Sequence, residues 1–324
     1  MITTIISDSS YDYKYKQIFE RIESVKVIEG SFKVLILSIL NSKNPIFHVR
    51  YIKASGPLKG ILRYFILISL LFLRGGKILY TCHNINEHNI KSKIINDFYR
   101  FLFSFLAFKI IYFDEIVRSY NYKIFHKKGV IANFGSFRDF LSHNFNKSNE
   151  FENIFGDWYF NKEIDVISVS SAKLNLSKRF FDQILDTDFV SVMISPQKNT
   201  VIPFIVQNQF RYYKSVYSEL DEIFVNNKKL VGFVGHYNIS VATSLYMFAS
   251  YGIPVICYDI EPNNNLVSIH NIGEIITQNC DTNTIEEKIN LIKNNYTFYQ
   301  QNCEKFIEIN SWEKSSVIHK NILF

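Results

Sequence analysis

Cysteine is scarce in this chain: four residues in 324, Cys82, Cys257, Cys280 and Cys303. None stands in a C-x-x-C spacing, so neither a disulfide framework nor a zinc-finger site is expected, and isolated thiols suit a reducing compartment. Long apolar runs are also missing. The most hydrophobic stretch, Ile61 to Leu73, contains Arg63 and is closed by Arg74. Its uncharged part, from Tyr64 to Leu73, is about half the roughly twenty residues a spanning helix needs. The opening Met1-Ile2-Thr3-Thr4 has no basic region or cleavage motif, so no signal peptide is expected and a cytoplasmic location is. No serine sits in a G-x-S-x-G elbow, which excludes that nucleophilic triad. Glycine and proline are sparse, and the only low-complexity tract is Asn263-Asn264-Asn265.

What the chain does have is apolar mass. Hydrophobic residues make up 47%, with 30 Phe and 20 Tyr, which suits two domains of about 150 residues each and excludes a disordered protein. The net charge of +6 is unevenly spread. Residues 1–150 hold 22 Lys+Arg against 11 Asp+Glu, whereas the remainder holds 14 against 19. A basic first half beside an acidic second half points to an anionic surface or ligand for the first.

Periodicity predicts strand–helix alternation in both halves, and therefore two doubly wound parallel sheets. In the first half, strands are expected at Thr3–Ser7, Val25–Ile28, Ile46–Tyr51, Lys77–Thr81, Ile110–Phe113 and Val130–Ala132, with helices at Phe32–Leu40, Leu58–Leu73 and Ile94–Leu106. The polar stretch 141–163 reads as a linker. In the second half, strands are expected at Val166–Val169, Phe189–Ile194, Ile202–Val206, Leu230–Val234, Pro254–Tyr258 and Glu274–Thr277. Helices are expected at Leu176–Leu185, Tyr212–Val225 and Ser244–Ser250, and again from Thr284 onward. The division expected is 1–145, 146–310 and a closing helix at 311–324. Ligands of open α/β sheets bind outside the carboxyl ends of the strands, so the residues just after each strand are the candidates for chemistry.

Ala242-Thr243-Ser244 opens a short helix, and Thr243 and Ser244 are expected to cap it. Its amino end offers free amides and a positive dipole to a diphosphate. The run from Ala249 through Gly252-Ile253-Pro254-Val255-Ile256, the asparagine-rich turn and Asn271-Ile272-Gly273 complete the pattern. Together they resemble the nucleotide-sugar half of GT-B glycosyltransferases, in particular bacterial enzymes of capsule, O-antigen and exopolysaccharide assembly. The segments Asn302 to Phe306 and Asn310-Ser311-Trp312 are similar to that family's closing helices. In the first half, Thr81-Cys82-His83-Asn84 resembles the Thr-x-His-Asn segment of the same enzymes.

The resemblance implies two Rossmann-like domains facing a cleft. It implies transfer of a hexose-type sugar from a UDP- or GDP-linked donor to a polyprenyl-diphosphate-linked glycan at the inner membrane surface, in surface polysaccharide biosynthesis. It implies no metal and no cofactor beyond the nucleotide-sugar co-substrate, and no nucleic acid. The donor side would use Lys173, His236, Tyr237, Asn238, Thr243, Ser244 and Glu261. His48, Arg50, Asn84, Asn133 and Ser136 would lie on the acceptor side. A base must take the acceptor's proton, and His83, Glu87 and Asp8 are the candidates, with Asp114 behind them. Retaining relatives carry two glutamates eight residues apart; here those positions are Ile239 and Met247, so inversion is the expectation. Two other readings of the same fold stay open: an enzyme that modifies a nucleotide sugar without transferring it, such as a 2-epimerase, and a non-catalytic scaffold.

Overall fold

In the computed structural model, the described residues are 2–7, 13–50, 57–85, 92–139, 163–169, 174–184, 187–194, 210–213, 220–226, 228–236 and 239–324. They form two compact units. The first comprises Met1–Gly135, Asn238–Val241 and Asn310–Phe324; the second comprises Ser136–Tyr237 and Ala242–Ile309.

The first unit is a parallel six-stranded sheet of order β2-β1-β3-β4-β5-β6, formed by β1 (Thr3–Ser7), β2 (Val25–Glu29), β3 (Ile46–Val49), β4 (Lys77–Cys82), β5 (Ala107–Tyr112) and β6 (Gly129–Ile131). Its helices are α1 (Tyr13–Phe19), α2 (Phe32–Asn41), α3 (Pro57–Leu73), α4 (Lys93–Leu106) and α5 (Glu115–Ser119), with a 3-10 helix at Lys123–Lys128. The second unit is also parallel, of order β12-β11-β10-β7-β8-β9. Its strands are β7 (Val166–Val169), β8 (Ser191–Ile194), β9 (Phe210–Tyr213), β10 (Val231–Val234), β11 (Val255–Tyr258) and β12 (Gly273–Ile276). Its helices are α6 (Leu174–Ile184), α7 (Leu220–Asn226), α8 (Thr243–Ser250), α9 (Asn263–His270), α10 (Thr282–Asn294) and α11 (Tyr296–Ile309). The last helix, α12 (Trp312–Leu323), belongs to the first unit, where the Arg21 guanidinium meets Glu313 at 3.2 Å.

The apolar runs explain the sheets. Every residue of β3, β7, β10 and β11 is buried, as expected of parallel strands covered on both faces. In the first unit, Tyr64 and Leu67 of α3 and Tyr99 and Phe103 of α4 close over Phe47 and Tyr80. In the second, Phe180 of α6 stacks on Phe233 of β10 with ring centroids 3.8 Å apart. No helix among the described residues is long and apolar enough to cross a membrane.

Several expectations need correction. Tyr212–Val225 is not one helix: Phe210–Tyr213 is a strand paired with β8, and Leu220–Asn226 is helix. Phe-Arg-Tyr-Tyr favours the pleated state, and β8 supplies its ladder. The asparagine-rich turn is the first turn of α9, with Pro262 as its cap residue. The helix Tyr13–Phe19 was not anticipated; its inward residues Tyr15, Ile18 and Phe19 are buried. Neither Thr243 nor Ser244 caps α8, because the cap residue is Ala242 and no side-chain cap bond is made. The expected strand Ile202–Val206 lies outside the described residues.

The second sheet also sets a sharp test. A Cβ added at Gly273 would lie 1.8 Å from the Val255 carbonyl oxygen, so β12 approaches β11 more closely than any side chain permits. Gly273→Ala should cost about 2 kcal/mol or more in urea denaturation; a change within about 0.5 kcal/mol, the range of ordinary surface substitutions, would contradict this packing.

Candidate functional site

In each unit the strand order reverses between two neighbouring strands, and a ligand crevice is expected outside their carboxyl ends. In the first unit these are β1 and β3, ending at Ser7 and Val49, with Arg50 directly after β3 and His83 directly after the neighbouring β4. In the second they are β7 and β10, ending at Val169 and Val234. Counted within its own unit, the second sheet has the order 3-2-1-4-5-6 of dinucleotide-binding folds.

The first unit gathers a buried polar group around Tyr15. The Tyr15 hydroxyl lies 2.5 Å from Nε2 of His83. The Arg50 guanidinium sits 4.3 Å from the Tyr15 ring centroid and donates through Nη2 to the Ser7 hydroxyl at 3.4 Å. His48 Nε2 is 2.8 Å from the Thr81 hydroxyl. Arg50 and His48 are fully buried, and His83 nearly so. Burial, then Lys14, Arg50 and His48, hold the His83 pKa well below the ordinary histidine value. For His48 the causes are burial, then Arg50 and His319. Burial and the nearby cations thus keep both imidazoles neutral.

The loop after β4 is pinned. Asn84 bridges to Ser240 in antiparallel fashion, and the Ile85 amide donates to the Ile239 carbonyl at 3.3 Å. The Ile85 carbonyl in turn accepts from Asn96 at 2.9 Å and from Arg100 at 3.2 Å. Asn133 donates to the Asn310 side chain at 2.6 Å. Asp114 caps α5, its carboxylate accepting from the Ile116 amide at 2.6 Å, which gives it a structural task. Asp8 and Glu87 lie outside the described residues.

In the second unit, β10 is followed by Gly235 and the half-buried His236; after the segment 238–241, which belongs to the first unit, α8 begins at Thr243. Thr243 and Ser244 occupy its first turn, part-exposed. The start of the helix is fixed from behind: the Ala242 amide donates at 2.9 Å to Oδ1 of Asn263, which is itself buried at the head of α9. Tyr246 of α8 packs on Phe306 of α11 with centroids 4.9 Å apart. Glu261, half-buried, precedes α9 at the carboxyl end of β11. Ser136 accepts from the Arg138 amide at 3.2 Å, and Arg179 donates to Asn279 at 2.9 Å. Lys173, Tyr237 and Asn238 lie outside the described residues.

Sequence reasoning missed Tyr15, Ser7 and Asn263. For Asn263, the signal was an asparagine directly after Glu261-Pro262 at the end of a buried strand, a position where a side-chain amide can hold a neighbouring loop.

No protein-family model matches the sequence, and no curated protein matches it. Solved structures do resemble the fold. A sucrose-phosphate synthase from Thermosynechococcus elongatus is similar over 99% of this chain and 98% of its own, with 12% identity and a TM-score of 0.69. Anabaena HepE in complex with UDP and glucose is similar over 100% and 99%, with 10% identity and a TM-score of 0.67. A UDP-forming α,α-trehalose-phosphate synthase from Burkholderia vietnamiensis is similar over 100% and 99%, with 6% identity and a TM-score of 0.67. These neighbours are glycosyltransferases of the GT-B type, and this chain has their α/β fold over its full length.

The neutral histidines set a pH dependence. His319 of α12 is fully buried, its Nδ1 is 2.7 Å from the Ser315 carbonyl, and burial pushes its pKa down to about 4. The unfolded chain binds a proton there near pH 6.5, while the folded chain does not until about pH 4. Stability is thus fully present above pH ~6.5 and falls as pH drops, by up to ~1.4 kcal/mol per pH unit for each such histidine. His319→Gln should flatten this slope between about pH 6 and 4 by one proton's worth in denaturant titrations; an unchanged slope would contradict the burial argument.

Proposed function

We propose that this chain is an inverting glycosyltransferase that moves a hexose-type sugar from a UDP- or GDP-linked donor to a lipid-linked glycan, in surface polysaccharide assembly at a membrane face. The observation that carries the donor assignment is the start of α8. The helix opens after the switch strand β10, its cap residue Ala242 is held by Asn263, and its amino-terminal turn carries Thr243 and Ser244. Amides at such a terminus suit a diphosphate. The glycosyltransferase neighbours, one of them solved with UDP and glucose, support the reading.

The chemistry follows from the groups assigned. The acceptor oxygen attacks the anomeric carbon, the bond from that carbon to the diphosphate oxygen breaks, and the acceptor proton leaves to a base. We assign the base to His83, which directly follows β4 and has the Tyr15 hydroxyl 2.5 Å from its Nε2 as the orienting group. The departing diphosphate carries its charge to the α8 amides and to Lys173. Retention through a carboxylate pair on this helix has no support, because Met247 is a buried thioether and Ile239 packs on the core of the first unit.

Donor binding should raise the melting transition in a thermal-shift screen of UDP-, GDP-, ADP-, dTDP- and CMP-sugars. One donor class should stabilise the fold by about 2.7 kcal/mol at a hundredfold excess over its Kd. Asn263→Ala should weaken that donor about tenfold, the scale of one lost hydrogen bond. His83→Ala should lower turnover roughly 10²- to 10⁴-fold with donor affinity retained. Turnover unchanged in His83→Ala would remove its role, and conversion of the donor in the absence of any acceptor would favour a nucleotide-sugar-modifying enzyme.

A further inference from the structure

Single apolar residues facing water are ordinary, whereas a continuous exposed set marks a docking surface. Helices α3 and α4 follow β3 and β4 into their next neighbours in the sheet, so right-handed crossovers set both on one side of it. They pack on each other there, with Tyr64 edge-on to Tyr99 and Phe103 at 5.9 and 5.0 Å. Those inward positions leave the opposite faces to solvent, and these are apolar as well. On α3 the outward row is Leu62, Phe65, Phe72 and Leu73. On α4 it is Ile94, Phe98, Phe101 and Phe105, spaced by four, three and four residues as one helical stripe requires. Phe65 is 67% exposed, Leu73 80% and Ile94 82%. The stripe continues: Phe101 lies 6.1 Å from Phe105 and meets Tyr122 edge-on at 5.4 Å, next to the 3-10 helix whose Ile124 is 71% exposed.

The rim of this surface is basic. Lys123 and Lys127 are exposed on either side of Ile124, and the Lys128 ammonium stands 6.0 Å from the Phe105 ring centroid. Arg100 lies 5.5 Å from the Tyr122 ring and is paired with Asp97 at 3.0 Å. This charge chooses between two occupants. A second copy related by a twofold axis would set this basic-rimmed patch against the same patch, like charges at a desolvating contact. Anionic headgroups meet the same lysines with opposite charge, and the phenylalanines then sit at the boundary between headgroups and acyl chains.

We infer that the outward face of α3, α4 and the 3-10 helix docks the first unit onto an anionic lipid bilayer, lying in its interface without spanning it. The inference takes its purpose from the lipid-linked acceptor proposed above and its substance from the exposed rows.

Vesicle flotation of the full chain tests it, with phosphatidylcholine vesicles against phosphatidylcholine–phosphatidylglycerol vesicles. Neither carries glycolipid or nucleotide sugar, so failure of the transferase reading leaves the result untouched. The protein should float with the anionic vesicles and lose them at high salt. The double variant K123E/K127E should bind anionic vesicles at least about tenfold less. The triple variant F65S/I94S/I124S should not float, whereas I269S, an exposed apolar change in the second unit, should float as wild type does. Phe98→Trp keeps the test sharp should the triple variant fail to fold: its fluorescence should be quenched by brominated acyl chains. The inference is overturned by a wild-type chain that ignores both vesicles, by flotation of a folded F65S/I94S/I124S equal to wild type, or by an unquenched Phe98→Trp. A dimer in analytical ultracentrifugation that F65S/I94S/I124S dissolves, with no vesicle binding, would assign the face to a second copy.

Discussion

A strand that pairs in parallel with its neighbour must leave the sheet at its carboxyl end, cross over as a helix and re-enter at the amino end. In both units that rule holds throughout, since every pairing among the described strands is parallel. All strand exits of a unit therefore gather on one edge of its sheet, and where the strand order reverses the crossovers diverge and leave room. Ser7, Arg50 and His83 stand at one such edge, and His236, Thr243 and Glu261 at the other. Residues distant in sequence become neighbours without any local motif.

Electrostatics then divides the two edges. In the first unit the buried Arg50 guanidinium lies against the Tyr15 ring and donates to the Ser7 hydroxyl. Its presence, added to burial, keeps the adjacent imidazoles neutral. Burial and the neighbouring charges act in the same direction here, and burial is the larger cause. In the second unit the opening turn of α8 presents backbone amides, and the buried Asn263 side chain holds the Ala242 amide just before it.

How much of this was legible in the sequence varied with the kind of signal. Thr3–Ser7 and Val166–Val169 were read with their observed bounds, because short apolar runs between polar ends admit little else. The parallel α/β class followed from the alternation itself. Tyr212 and Tyr213 fall in the expected helix Tyr212–Val225, whereas their strand character comes from pairing with β8. The α9 turn was hidden by asparagines that look like loop residues until Pro262 and Asn263 are seen anchoring a helix. His83 was found from its place after a buried strand. Tyr15 was not, since its partner lies 68 residues away and its helix carries too mixed a face to be recognised alone.

The account turns on a diphosphate seated at the opening of α8. Hydrogen–deuterium exchange of the full chain with and without UDP measures that contact amide by amide. The account predicts new protection confined to the peptides covering 235–246 and 259–264. Saturable UDP binding with protection elsewhere, or no binding of any nucleoside diphosphate, would contradict it.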